Sequence, residues 1–346
     1  MTILRLVLFL GALTLVSGVA FLRPADESIR QADESSGDAM ARAAEKFLAG
    51  LSAEQKAKAA FAFDADERTN WQFMRDRAEN SRFKGLPLKD MKAEQKKAAI
   101  ELLATATSAA GKELATTLMS LESLVPKDAK EGGAIRDPEW YFFAVFGKPA
   151  AKGDWGWRLQ GHHLSMNFTL RDGKVISMTP VFLGAEPAEV INGPRKGLRP
   201  FADADDLGKK LFRSLDDGQR KSALVAETFP RYRGGDKKLA ASEPLGLAAA
   251  MMNDKQRDIL VELLNAHMSR YPADVARAEL AAVKAAEIGK VHFAFVGDPE
   301  QKRAYRIHGP TLLIEFSNEQ DDSEKHAHNH VHNVWRNPRG DFGFTD

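Results

Sequence analysis

The sequence contains two diverged copies of one pattern, and this repetition constrains the fold more than any other feature. Four segments share an apolar residue, three mostly polar residues, and then Gln followed by Lys or Arg. They begin at Leu51, Met91, Leu215 and Met252. Each precedes apolar residues at helical spacing, and the first has the form of a helix capping box, Ser52 to Gln55. The helix starts therefore come in two pairs.

The predicted strands repeat in the same way. Phe-Ala-Val-Phe-Gly-Lys-Pro at 143–149 corresponds to Phe-Ala-Phe-Val-Gly-Asp-Pro at 293–299. Trp-Arg-Leu-Gln-Gly at 157–161 and the strand after it correspond to Tyr-Arg-Ile-His-Gly at 305–309 and its successor. Because the order of the elements is the same in both halves, we predict an internal duplication of a helix–helix–strand–strand unit.

The predicted fold class is α+β. Each copy has too few strands to close a core alone, so we expect the copies to share an antiparallel sheet or barrel with the helices packed around it. This gives a single pseudo-two-fold domain over 38–346, with repeat one at about 38–200 and repeat two at about 201–346.

The N-terminus has the pattern of an export signal. An uncharged apolar run over 6–22 follows Arg5 and is succeeded by polar residues. We expect residues 1–24 to be a signal peptide or an uncleaved N-terminal anchor, and 25–37 to be a flexible leader. The protein is thus predicted to be exported, periplasmic or extracellular, with membrane contact only through an uncleaved N-terminal segment.

Composition and missing motifs exclude several classes of function. The chain has no cysteine, so Cys-ligated zinc and iron–sulfur clusters are excluded. Its 49 basic and 48 acidic residues give a net charge of +1, which predicts no nucleic-acid partner. His-Glu-x-x-His, Gly-x-Ser-x-Gly, a Walker loop and Gly-x-Gly-x-x-Gly are all absent. We therefore expect no nucleotide and no haem, and a small-molecule ligand or substrate as partner.

A histidine cluster near the C-terminus carries the strongest chemical signal. Alternation by two puts His326, His328, His330 and His332 on one face of an extended segment. The last two lie in an apolar, strand-like context before Trp335, which favours a metal site; the first two lie in a loop-like stretch. Imidazole suits zinc, copper and iron alike, so we predict a divalent transition metal without choosing among them.

Two adjacent histidines form the second signal. On a strand, His162 and His163 would point to opposite faces, so only one could join a given site. His163 shares its face with Asn167 and is the preferred ligand, with His162 as the alternative.

Glu315 is the third candidate, as a metal ligand or general base. A carboxylate within an apolar strand is costly to bury unless it binds a cation or forms an ion pair. A salt bridge to Arg306 or Arg158 is the alternative interpretation. We also expect some side chains to line a pocket: Asn167, Arg68, Trp71, Trp157 and Arg306.

Six longer motifs together resemble a known family. They lie at 66–71 (Asp-Glu-Arg-Thr-Asn-Trp), 155–169 (with Gly-His-His), 179–185 (Thr-Pro-Val-Phe-Leu-Gly-Ala), 305–318, 329–336 (Asn-His-Val-His-Asn-Val-Trp-Arg) and 340–343 (Gly-Asp-Phe-Gly). The chain resembles the domain-of-unknown-function family numbered 3500 from about residue 43 onward. The resemblance implies no particular activity, but His162, His163, His330 and His332 fall inside its motifs.

The first functional hypothesis is a metal-dependent enzyme, an oxidoreductase or a hydrolase. His163, His330 and His332 would hold the ion, and Glu315 would act as ligand or general base. The second hypothesis is a non-catalytic protein that binds a small ligand or a metal. The third is a structural module in which the histidines satisfy a polar core.

Overall fold

The computed structural model describes residues 35–77, 81–124, 135–226, 229, 237, 239 and 242–344. The predicted signal or anchor and most of the predicted leader lie outside these residues. Helix α1 begins at Ser36, within the range expected to be a leader, because the Ser35 side chain caps it by accepting from the amide of Asp38. In the described part of the chain, no helix is long and apolar enough to cross a membrane.

Eight α-helices are found within the described residues. They are α1 (Ser36–Ala49), α2 (Ala53–Ala59), α3 (Ala93–Thr105), α4 (Ala109–Leu121), α5 (Ala202–Ser214), α6 (Asp217–Ala223), α7 (Asp254–Met268) and α8 (Ala273–Ala285). The four repeated segments each start a helix, as predicted, at α2, α3, α6 and α7.

The repeated glutamines join the helices in pairs. Gln55 and Gln95 donate to each other's side-chain oxygens at 3.0 and 2.8 Å. Gln219 and Gln256 do the same at 3.0 and 2.7 Å. Each side-chain oxygen also accepts from the backbone amide at the start of its own helix. Each amide nitrogen also donates to a backbone carbonyl. The same motif therefore holds two helix starts together in each half.

The strands form one sheet. They are β1 (Ala60–Phe61), β2 (Leu86–Pro87), β3 (Phe142–Phe146), β4 (Asp154–Gly161), β5 (Leu164–Arg171), β6 (Lys174–Ser177), β7 (Val181–Ala185), β8 (Leu247–Ala248), β9 (His292–Gly297), β10 (Arg303–Gly309), β11 (Leu312–Gln320) and β12 (His330–Arg336). Their order is β1-β3-β4-β5-β7-β12-β11-β10-β9-β8, with β2 beside β3 and β6 beside β5. Among these strands β7 and β12 pair at the centre and join the halves.

The α+β class is confirmed, but the sheet is mixed instead of wholly antiparallel. Strand β1 runs parallel to β3, because the long crossover through α3 and α4 returns the chain to the sheet in the same direction. The described strands make an open order with β1 and β8 at its ends, and not a barrel.

The two faces of the sheet differ in what covers them. One face packs against the helices in the main apolar core, to which β4 contributes Trp157 and β10 contributes Tyr305. The other face carries a small aromatic cluster in which Phe73 stacks on Phe182 at 3.7 Å between ring centroids. This second face therefore has room for polar side chains, and the candidate site lies there.

The glutamine pairs generate a stability prediction. Gln95 is buried, and Gln95→Ala leaves the amide of Lys92 and the carbonyl of Gly50 without their partner. We expect a loss of about 1–3 kcal/mol in the free energy of unfolding, measured by urea denaturation, against little change for the exposed Gln301→Ala. A double-mutant cycle with Gln55→Ala should show coupling; additive losses would contradict the pairing.

Candidate metal centre

Three histidine side chains converge on the second face of the sheet. Nε2 of His163 lies 2.9 Å from Nε2 of His330 and 3.4 Å from Nε2 of His332. Their ligand atoms all lie within 4.8 Å of one another, with His163 and His330 buried and His332 half-buried. Three imidazoles gathered in this way can bind a metal ion, and we call them the histidine group.

Strand β12 supplies two of these ligands by simple alternation. His330 and His332 point to the second face, while Val331 and Trp335 point into the helix-side core. Of the four histidines predicted to share one face of an extended segment, His330 and His332 do so, whereas His326 and His328 lie before β12 and outside any strand. Pairing with β7 places Gly184 opposite His332.

His163 comes from a different part of the chain. His162 and His163 are the two turn residues between β4 and β5, so neither lies on a strand as we expected. The backbone of His163 is left-handed, with φ 59, and its amide and carbonyl bond to Phe73 and Gly184. The rings of His162 and His163 stack at 3.8 Å, so both reach the same region. The expectation that they point to opposite faces was wrong, because side chains in a tight turn do not alternate between the two faces of a sheet.

Gly184 makes room for the His163 ring. A Cβ atom at this position would lie 3.0 Å from Cδ2 of His163 and 3.0 Å from the carbonyl oxygen of Val331. Both contacts are closer than Cβ atoms normally make. A side chain at residue 184 would therefore push His163 away from the other two ligands.

The spacing and charge of the histidine group suit a metal ion. Nitrogens about 2.0–2.1 Å from a tetrahedral ion lie about 3.3 Å apart, close to the separations found here. Burial and the neighbouring histidines lower the pKa of His163 well below its usual 6.5. Burial also lowers the pKa of His330 to about 4, although Glu186 opposes this shift. These two imidazoles are therefore neutral at neutral pH, the form that binds metal.

A second cluster, formed by Glu122, His162 and His163, is less suited to a cation. Nδ1 of His162 lies 2.7 Å from the Glu122 carboxylate and 3.0 Å from Nη1 of Arg136. The guanidinium thus occupies the place next to the ring nitrogen and repels another positive charge. We interpret Glu122 as the partner that orients His162.

A buried carboxylate, Glu186, connects the histidine group to two arginines. It accepts from Arg136 at 2.8 Å, from Arg75 at 3.1 Å and from the hydroxyl of Ser323. Burial alone would raise the pKa of Glu186, but His330, Arg136 and Ser323 hold it well below its usual range. Oε1 of Glu186 lies 3.9 Å from Nδ1 of His330, on the side of that ring away from the group.

An open cleft of about 910 Å³ borders the histidine group. Its lining includes the three histidines, His162 and Glu186, with Phe73, Met74, Arg75, Arg82, Gln320 and the loop residues 321–325. A small molecule in this cleft would reach the histidine group from solvent.

Glu315 is not brought to this group. Its carboxylate accepts from Nε of Arg306 at 2.5 Å, which is the ion pair named as the alternative interpretation. Both side chains are buried. In the first half the corresponding Arg158 pairs with Glu67 at 2.5 Å.

The other expected pocket residues lie in packed regions instead of the cleft. Trp157 belongs to the helix-side core, and Trp71 to the small aromatic cluster. Arg68 donates to the carbonyl of Phe342 at 3.0 Å, and Asn167 donates to that of Pro180 at 2.8 Å. None of them lines the cleft beside the histidine group.

His326 and His328 precede β12 and stay outside the group. His326 bonds to Asp322 at 2.9 Å within its own loop, as the loop-like context favoured.

Glu122, Arg136, Glu186 and Arg75 were missed by the sequence reasoning. Glu186 had a weak signal, since a carboxylate directly after the apolar strand β7 meets the edge of the sheet. The other three come from a helix end and loops, where no periodicity indicates a neighbour.

Comparison with known proteins bears on the whole of this architecture. A family described as a protein of unknown function (DUF3500) matches residues 33–344. The chain belongs to this family. The DUF3500 match covers both halves, the histidine group and the cleft, so the site lies within the family domain. No curated protein and no solved structure matches the chain.

The depressed pKa of His330 predicts a pH-dependent stability. Between pH 6.5 and about 4, the unfolded chain binds a proton at this imidazole and the folded chain does not. The metal-free protein should therefore lose stability as the pH falls through this window, by up to about 1.4 kcal/mol per pH unit for this group. Urea unfolding in EDTA should show a shallower slope for His330→Gln than for wild type. An unchanged slope would remove His330 as the cause.

Gly184→Ala tests the space that His163 needs. We expect about 1–3 kcal/mol of destabilisation in urea and weaker zinc binding by calorimetry, because the new methyl group displaces the ring. Gly289→Ala is the matched control, since the nearest atom to its Cβ would be the Cβ of Ala250 at 3.5 Å, an ordinary contact. Equal behaviour of the two variants would mean that His163 is not held by this contact.

Proposed function

We propose that the protein is an exported metal-dependent enzyme, an oxidoreductase or a hydrolase acting on a small molecule. The observation that carries the proposal is the convergence of three imidazoles, from His163, His330 and His332, on the wall of an open cleft. Export is proposed from the signal-like pattern of residues 1–24.

A set of three histidines is typical of catalytic metal sites. Structural zinc sites use four protein ligands, whereas catalytic sites use three and leave a position for water or substrate. Here two ligands are fixed by one rigid strand and the third by a hairpin turn. All three histidines line the cleft, so a small molecule in the cleft would reach a bound ion.

The reaction class depends on which ion is bound. Zinc would supply a water of lowered pKa for hydrolysis, whereas copper or iron would supply redox chemistry. Within the chain, Glu122 holds His162 beside the group and Glu186 lies behind His330, so both rings keep their orientation.

Non-catalytic binding of a metal or small ligand is the second candidate. The buried ion pairs around Glu186 favour a rigid site, which serves a binding protein as well as an enzyme. A bound ion that accepts no added ligand would support this candidate.

We also propose that the chain arose by duplication of the helix–helix–strand–strand unit. The two glutamine pairs support this origin. So does the equivalent pairing of β2 with β3 and of β8 with β9, through Leu86–Phe143 and Leu247–Phe293.

Metal content tests the centre directly. Untagged protein is stripped with EDTA, loaded with zinc, copper or iron in turn, dialysed and analysed by mass spectrometry of the elements. We expect about one ion per chain in wild type and in His326→Asn, and loss of that ion in His330→Asn and His332→Asn. Circular dichroism must show that all are folded. Equal metal in every variant would mean that the ion binds elsewhere.

Catalysis is tested on the loaded protein. We expect the zinc form to hydrolyse 4-nitrophenyl acetate, or the copper or iron form to consume oxygen with a mild reductant, and His330→Asn to lose that activity. A tightly bound ion without either activity would favour the binding protein.

A further inference from the structure

We propose that the cleft beside the histidine group binds a small organic anion, whose acidic group lies between the bound metal ion and the guanidinium of Arg82. The inference rests on the proposed metal centre and names the class of molecule that the centre acts on.

The first step concerns the charge that the ion would keep. All three ligands of the histidine group are imidazoles, and neutral imidazoles remove none of the charge of a divalent cation. A carboxylate ligand would have reduced that charge by one. Glu315, the carboxylate that could have served, is ion-paired with Arg306.

The second step concerns the buried carboxylates nearby. Glu186 contacts Arg136 and Arg75, and Glu122 contacts Arg136 as well. Two carboxylates and two guanidinium groups sum to zero charge. These buried groups therefore do not lower the charge of a divalent ion, and an anion would neutralise it.

The third step concerns the mouth of the cleft. Arg82 is exposed and lines the cleft, and no described residue pairs with its guanidinium. Arg75 lies on the same wall, with 37% of its side chain exposed, but its charge is already balanced by Glu186. Guanidinium groups bind carboxylates and phosphates through two parallel hydrogen bonds.

The lining carries four carboxylates, of Glu186, Asp321, Asp322 and Glu324, against three cations, of Arg75, Arg82 and Lys325, so its total charge becomes positive only when a divalent ion is bound. Asp322 is held by His326 and Asn329, and Asp321 accepts from the amide of His328. These contacts keep the carboxylates on the loop that precedes β12. The same loop also contacts the buried network, since the Ser323 hydroxyl donates to Glu186.

An apolar patch completes the recognition surface. Met74 has 47% of its surface exposed and lies with Phe73 in the lining of the cleft. An apolar body of the ligand can cover this patch while its acidic group faces the ion, which favours an organic anion over an inorganic one.

The test uses the cobalt(II)-loaded full chain, whose visible absorption responds to a change of ligand at the metal. Benzoate and phenyl phosphate are titrated beside benzamide, a neutral molecule of the same shape as benzoate. We expect one or both anions to shift the spectrum and bind at least about tenfold more tightly than benzamide. Arg82→Gln should weaken binding of the anion by about threefold. Arg339 is exposed and lies beyond the far end of β12, so Arg339→Gln should leave binding of the anion unchanged.

The outcomes separate this inference from the proposed function. A cobalt-loaded protein that binds benzamide as tightly as both anions, or an Arg82→Gln variant that binds anion like wild type, overturns the inference alone. A chain that takes up no cobalt overturns the metal centre and the inference with it. If only phenyl phosphate binds, the anion is a phosphate and not a carboxylate, and the inference stands.

Discussion

The pairing of β7 with β12 is the contact on which the rest of the site depends. It joins the two halves of the sheet in antiparallel register, with Val181 opposite Trp335 and Gly184 opposite His332. Because side chains alternate along a strand, a slip of one residue would turn His332 into the helix-side core and Val331 toward the cleft. The apolar residues that β12 buries against the helices therefore fix the face that its histidines occupy, and the histidine group follows from the packing of the core.

The buried charges around the group form one connected network. Replacing a buried ion pair by apolar residues is often neutral for folding, so such pairs are weak stabilisers. Arg136 nevertheless contacts Glu122, Glu186 and the ring of His162 at once. This arrangement orients one imidazole beside the group and keeps a carboxylate behind another. Removing these charged groups from water costs free energy, and their ion pairs with one another offset that cost only when all of the groups are in place. The network therefore holds the site in one arrangement.

Both halves contribute to the histidine group, His163 from the first and His330 and His332 from the second. The hairpin of the first half turns at His162 and His163, and that of the second turns at Pro310 and Thr311. In both halves an arginine on the first strand of the hairpin forms an ion pair, Arg158 with the partly exposed Glu67 and Arg306 with the buried Glu315. The sheet thus holds the two halves together, and loops and strands from both of them bring the candidate ligands to one place.

Local patterns in the sequence determined the four helix starts and the shared face of His330 and His332, because hydrogen bonds between near neighbours and the alternation of a strand govern these features. Periodicity did not determine that His162 and His163 form a turn, or that β1 pairs in parallel with β3. Only the tertiary structure decided which side chains meet. Glu315 pairs with Arg306 on the neighbouring strand. Glu186 and Arg136 contact each other and lie beside the histidines, although they come from loops distant in sequence. A buried charge is stable only beside an opposite charge. Which partner lies beside it depends on the register of the sheet, and no local sequence pattern contains that register.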